Sequence, residues 1–174
     1  MGSGQVEIGV MIGETSWGWV GIAWSARGLA GVTLPQPTEG EALHQLPAAS
    51  EAVPEPPLGL DPGVLLDKLR RYVDGEDVRF DEPLDPAVGG EFQRAVWAVC
   101  RAIPRGQTST YGELARQAGS PAASRAVGQA MARNPWPIVV PCHRVLGSNG
   151  QLTGFGGGLE MKRAMLLMEG GLLA

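Results

Sequence analysis

Three short runs of apolar and β-branched residues open the chain: Val6 to Met11, Trp17 to Trp24 and Leu29 to Leu34. Turn-forming stretches separate them, Gly13 to Ser16 and Ser25 to Gly28. Short strands joined by such turns predict a β-meander. From Pro35 to Pro62 the chain is rich in Pro, Glu and Ala, which predicts mostly loop with a short helix near Glu41 to Leu46. Asp61 followed by Pro62 has the form of an N-cap and a first-turn proline, opening a helix through Val64, Leu65, Leu69 and Tyr72 that Gly75 ends. Pro83 to Gly90 reads as a linker.

The pattern then changes period. Phe92, Val96 and Val99, with Ala95 and Cys100, place one apolar face on a helix. After a Pro104-Arg105-Gly106 turn, Thr108 to Thr110 caps a second helix, Tyr111 to Gln117. Gly119-Ser120-Pro121 turns the chain into a third, from about Ala122 to Ala132. Two short helices around a tight turn form a helix-turn-helix pattern. The apolar run Ile138 to Val140 predicts a short buried strand, ended by Pro141. A glycine-rich loop, Thr153 to Gly158, and a last helix, Leu159 to Glu169, follow. The expected class is α/β (α+β), with a β-meander domain over residues 1–85 and a mainly helical domain over 86–174.

Composition adds three points. Of 174 residues, 44% are hydrophobic, enough for a proper core. No run approaches the roughly 18 apolar residues of a membrane span, and Met1 to Gln5 lacks a basic-then-apolar leader, so a cytoplasmic protein with no membrane partner is expected. Net charge is −4, but residues 1–85 carry five basic against fourteen acidic side chains and residues 86–174 nine against four. The basic second half points to a polyanion partner, against the plainer reading of a solvated surface.

Two cysteines and two histidines at unrelated spacing fit no zinc pattern, so no metal is expected. Cys100 falls on a helix core face. Cys142 is different: it follows a rigid apolar segment and precedes His143 and Arg144. Thiols react as thiolates, which a nearby imidazole or cation favours. The plain alternative is a buried small hydrophobe.

Pro141-Cys142-His143-Arg144-Val145 resembles the active-site signature of the methylated-DNA–protein-cysteine methyltransferases, the alkylguanine-DNA alkyltransferases. Phe92 to Trp97, Thr110 to Ala115, Ser124 to Gly128, Asn134-Pro135 and Glu169-Gly170 resemble the same family, in order. The resemblance implies a ribonuclease-H-like first domain and a DNA-binding, alkyl-transferring second domain. Some relatives hold zinc in the first half; this chain has no cysteine before Cys100. The implied activity is repair of alkylated double-stranded DNA by a monomer that needs no cofactor. O6-alkylguanine is flipped out and its alkyl group passes irreversibly to Cys142, one event per molecule.

By the same resemblance, Glu169 orients His143, which draws the thiol proton through a water. Tyr111 bonds the flipped guanine and eases its departure. Arg125 fills the vacated stack, with Ser124, Gly128 and Thr110 also against DNA. Asn134 ties the reading helix to the active-site segment, and could equally be a plain helix C-cap. Phe155, Gly156, Gly157, Pro137 and Val145 form the substrate pocket. Phe155 stands where many relatives have tyrosine, and Gly156 where serine, arginine or alanine is common. Trp136 has no assigned role beyond packing.

Three rivals remain in view. An alkyltransferase-like lesion sensor would lack the cysteine. A helix-turn-helix regulator that senses alkylation would carry a dimer interface or second DNA module. A thiol protease or redox protein would show a second histidine or a paired cysteine.

Overall fold

The computed structural model describes residues 4–171, so the leader expectation falls partly outside them, on Met1 to Ser3. Two compact units divide between Val88 and Gly89.

The first unit is a three-stranded antiparallel meander, β1 (Gly9–Thr15), β2 (Gly18–Ser25) and β3 (Gly28–Val32), in sequence order. Two helices accompany it, α1 (Glu39–His44) and α2 (Pro62–Val73). Asp61 caps α2 by accepting from the Val64 amide at 3.1 Å, with Pro62 in the first turn. Val20, Ile22, Leu29, Leu65 and Leu69 are fully buried between sheet and helix, each stabilising the unit by roughly 1.5–3 kcal/mol.

Two expectations change here. Gly13 is no turn residue: β1 runs through it, paired with Val20. A Cβ there would lie 2.6 Å from the Leu66 side chain on α2, so glycine permits helix and sheet to approach. Nor is Pro83 to Gly90 a free linker. The Leu29 amide donates to Pro83 O at 2.8 Å and the Asp85 amide to Leu29 O at 2.9 Å. The buried Asp85 carboxylate accepts from the Ser25 hydroxyl at 2.6 Å. Proline punctuation hid a segment held by its backbone.

The second unit contains α3 (Glu91–Arg101), β4 (Ser109–Thr110), α4 (Tyr111–Gln117), α5 (Ser124–Ala132), β5 (Val145–Leu146) and α6 (Leu159–Glu169). Cys142–Arg144 forms one 3₁₀ turn. Strands β4 and β5 pair in parallel, Ser109 with Val145 and Thr110 with Leu146. This short ladder joins the start of α4 to the residues just after Cys142. Trp97 on α3 donates to Ala130 O at 2.9 Å and meets Trp136 edge to face at 5.3 Å. Trp136 is 2% exposed, so packing accounts for it.

Ile138 to Val140 is buried as expected but is not a strand. Its neighbours Pro135, Pro137 and Pro141 offer no amide for a ladder. The Val140 amide instead closes back on Trp136 O at 2.8 Å. Among the described residues no helix is long and apolar enough to cross a membrane.

Candidate active site

The Cys142 thiol is half-buried in the lining of a cavity of about 480 Å³, within the roughly 300–1,000 Å³ span of small-molecule sites. Tyr111 from α4, Gly128, Met131 and Ala132 from α5, and Thr153 to Gly156 from the glycine-rich loop complete the lining. The fold holds the thiol there by an unusual backbone. Ile138 has φ +75°, a left-handed conformation that a β-branched residue rarely adopts. Such outliers persist where surrounding structure dictates them. Here the surrounding structure includes Asn134, just beyond α5: its side-chain amide donates to Val140 O at 2.8 Å and its oxygen accepts from the Trp136 amide at 3.0 Å. One residue thus joins the end of α5 to the reactive segment.

Electrostatics at the thiol differ from the sequence expectation. Burial is the largest influence and pushes the Cys142 pKa above its ordinary value; the Asn134 hydrogen bond and the Lys162 charge oppose it. The thiol therefore rests protonated and needs a base. Arg144 does not serve it. Its guanidinium forks onto Glu169, Nε to Oε2 and Nη2 to Oε1 at 2.9 Å each, with Nη1 on Ile103 O at 2.6 Å. Glu169 also meets His143 Nε2 at 2.8 Å. A carboxylate can only accept, so Nε2 carries the hydrogen and Nδ1 bears the lone pair. Burial lowers the His143 pKa despite Glu169, so the ring is neutral near pH 7 and able to take a proton.

Lys162 was not anticipated. It is fully buried, its ammonium donating to Val145 O and Thr153 O at 2.7 Å each. Lys162, Met165, Leu166 and Glu169 make up the buried face of α6, so one face delivers a cation and an anion to the reactive segment. A lysine at a core position of the helical period was the available signal.

The other predicted residues divide. Arg125 and Ser124 are exposed at the start of α5, and Tyr111 is half-exposed at the cavity wall. Gly128 lines the cavity, with nothing within 4 Å of where its Cβ would stand. Phe155 and Gly156 line it too, whereas Gly157, Pro137 and Val145 do not; Val145 is fully buried in β5. Two half-buried residues grouped with DNA contacts make hydrogen bonds within the fold. Thr110 caps α4 by accepting from the Glu113 amide at 3.1 Å, and Asn134 is engaged as described. Cys100 is fully buried, which raises its pKa well above the ordinary value. Among the described residues no cluster of three or more His, Cys, Asp or Glu could hold a metal ion.

Residues 91–171 match the family model of the 6-O-methylguanine DNA methyltransferase DNA-binding domain. A methylated-DNA–protein-cysteine methyltransferase of Mycolicibacterium paratuberculosis is 52% identical over 104 residues, 60% of this chain and 62% of the relative. The sequence match thus spans less than two thirds of that relative's length. The structural match reaches further. The O6-methylguanine methyltransferase crystal structure from Mycobacterium tuberculosis superposes with a TM-score of 0.72 at 38% identity, covering 94% of this chain and 93% of that one. The M. tuberculosis protein in complex with DNA gives 0.74 at 36% identity, covering 92% of each chain.

Proposed function

Because the chain belongs to the O6-methylguanine DNA methyltransferase family, we propose that it repairs DNA by moving the alkyl group of O6-alkylguanine onto Cys142. The observation that carries this is the thiol at the lining of a base-sized cavity, followed in the chain by a buried histidine whose Nε2 meets Glu169 at 2.8 Å. Every group given a role in the reaction lies within residues 89–171.

The duplex buries its bases, so the target must be extruded. Arg125, exposed on the first turn of α5, is placed to fill the gap, and Ser124 beside it to meet the backbone. Gly128 and Gly156 leave room for the flipped base, and Phe155 offers it a wall. His143 Nδ1 takes the thiol proton through a water. Sulfur attacks the alkyl carbon in line as the bond from carbon to O6 breaks, and that electron pair passes into the guanine ring. Tyr111 hydrogen-bonds the ring as this charge develops. The departing guanine ends with the proton the thiol released, and a thioether remains. Thioethers do not hydrolyse, so each molecule acts once. Displacement at carbon requires no redox or metal partner, and a lone reactive thiol suits a reducing compartment such as the cytoplasm. The protein acts as a monomer, since one copy supplies every group named.

The experiment is a pair of variants. Cys142→Ser is expected to abolish transfer and keep DNA binding, which rests on phosphate contacts and falls with salt. Cys100→Ser is expected to transfer normally. Transfer lost with Cys100 and kept without Cys142 would overturn the reading.

A further inference from the structure

Thr153 opens the glycine-rich loop, and nothing in the reaction above uses it. Two contacts join it to Tyr111. The phenol donates to Thr153 O at 3.3 Å, and the Thr153 hydroxyl donates to the phenol oxygen at 3.3 Å. The same carbonyl accepts from the buried Lys162 ammonium at 2.7 Å. We propose that Thr153 is a positioning residue for Tyr111, its hydroxyl steadying the phenol and strengthening the hydrogen bond that Tyr111 gives the departing base. The inference rests on the alkyl-transfer reading.

A phenol has one proton and two lone pairs. At rest that proton points at Thr153 O. To serve the base it must turn away, and an abandoned carbonyl would normally resist. Here it does not, because Lys162 keeps the carbonyl satisfied through a shorter bond. The Thr153 hydroxyl needs no change: it still donates to the phenol oxygen after the proton has turned. A hydroxyl that accepts a hydrogen bond is a better donor, since chained bonds polarise one another. While sulfur bonds to the alkyl carbon and the pair from the breaking bond to O6 moves onto guanine, this chain gathers donors behind Tyr111. No net proton leaves the phenol. Lys162 fixes Thr153, Thr153 aims Tyr111, and Tyr111 touches the base.

The test measures single-turnover transfer from free O6-benzylguanine to the full-length protein by intact mass, which removes DNA binding and flipping from the rate. Thr153 is exposed, so substitution there leaves the core alone. Thr153→Val, equal in shape without the hydroxyl, is expected to slow transfer about three- to tenfold, the worth of one hydrogen bond. Thr153→Ser restores the hydroxyl and is expected within about twofold of the unsubstituted rate. In a Tyr111→Phe background Thr153→Val is expected to change the rate by less than about twofold, because its target is gone. An unslowed Thr153→Val, a serine variant as slow as valine, or the same loss in both backgrounds would overturn the proposal. No transfer by the unsubstituted protein would instead overturn the functional reading, and this inference with it.

Discussion

Replacing Lys162 by methionine, similar in length and uncharged, separates two jobs of one buried cation. Its ammonium holds Val145 O and Thr153 O at 2.7 Å. Thr153 O keeps Tyr111 after the change, so the Val145 carbonyl bears the loss. A buried acceptor deprived of its donor costs about 1–3 kcal/mol. Against this, the ammonium is itself costly to bury, shown by the downward push of burial on its pKa, and removing it returns a comparable amount. Net stability should therefore move by no more than about 2 kcal/mol, or a few degrees of melting temperature in a chain of this size. The reaction should respond more. Lys162 opposes the burial that holds Cys142 protonated. A nearby positive charge favours the thiolate, so its removal leaves burial less opposed. Lys162→Met is thus expected to slow transfer at neutral pH and to shift the pH–rate profile upward, because the thiol loses a charge that favours its ionised form. Thermal melts and single-turnover rates from pH 6 to 9 check both. A profile that stays in place while the melting temperature drops would refute the electrostatic role and leave Lys162 a structural residue.

Other outcomes follow from the same geometry. Arg125→Ala should slow repair in duplex DNA far more than transfer from free alkylguanine, which needs no flipping; equal loss on both substrates would make Arg125 structural. Gly128→Ala adds a methyl where the fold has open space, so it should stabilise α5 by about 0.5–1 kcal/mol yet narrow the cavity, slowing benzyl transfer more than methyl; unchanged rates would show that the cavity wall lies elsewhere. Burial holds the His143 pKa below its ordinary 6.5, so on acidification the unfolded chain protonates first. Stability should be full above pH 6.5 and decline below it by at most about 1.4 kcal/mol per pH unit. His143→Gln should flatten that decline, and an unaltered slope in denaturant titrations would place its source in other groups.

Local chemistry was legible wherever one residue type has one strong use. Asp61-Pro62 and Thr110 cap α2 and α4 as their types suggest, and the second meander turn, Ala26-Arg27, lies inside the Ser25 to Gly28 break, whereas the first falls later than expected, at Ser16-Trp17. What escaped depends on partners distant in sequence. Ile138 to Val140 looks like a strand because burial and β-branching mark strands; only its proline neighbours and the Asn134 clamp make it a strained turn. Arg144 looks like a cation for the adjacent thiol, yet the carboxylate 25 positions on outbids that adjacency. Lys162 joins the site only through the helical face it shares with Glu169. The cavity combines α4, α5 and the glycine loop, and no single stretch encodes such an assembly.

The most direct test of the account is intact mass of the protein after incubation with duplex DNA carrying one O6-methylguanine, followed by peptide mapping. The account predicts complete conversion, at one equivalent of lesion, to a species heavier by one methyl in place of one hydrogen, with the added mass on the peptide containing Cys142. An unchanged mass with lesion-containing DNA in excess, or a methyl found on Cys100, would contradict it.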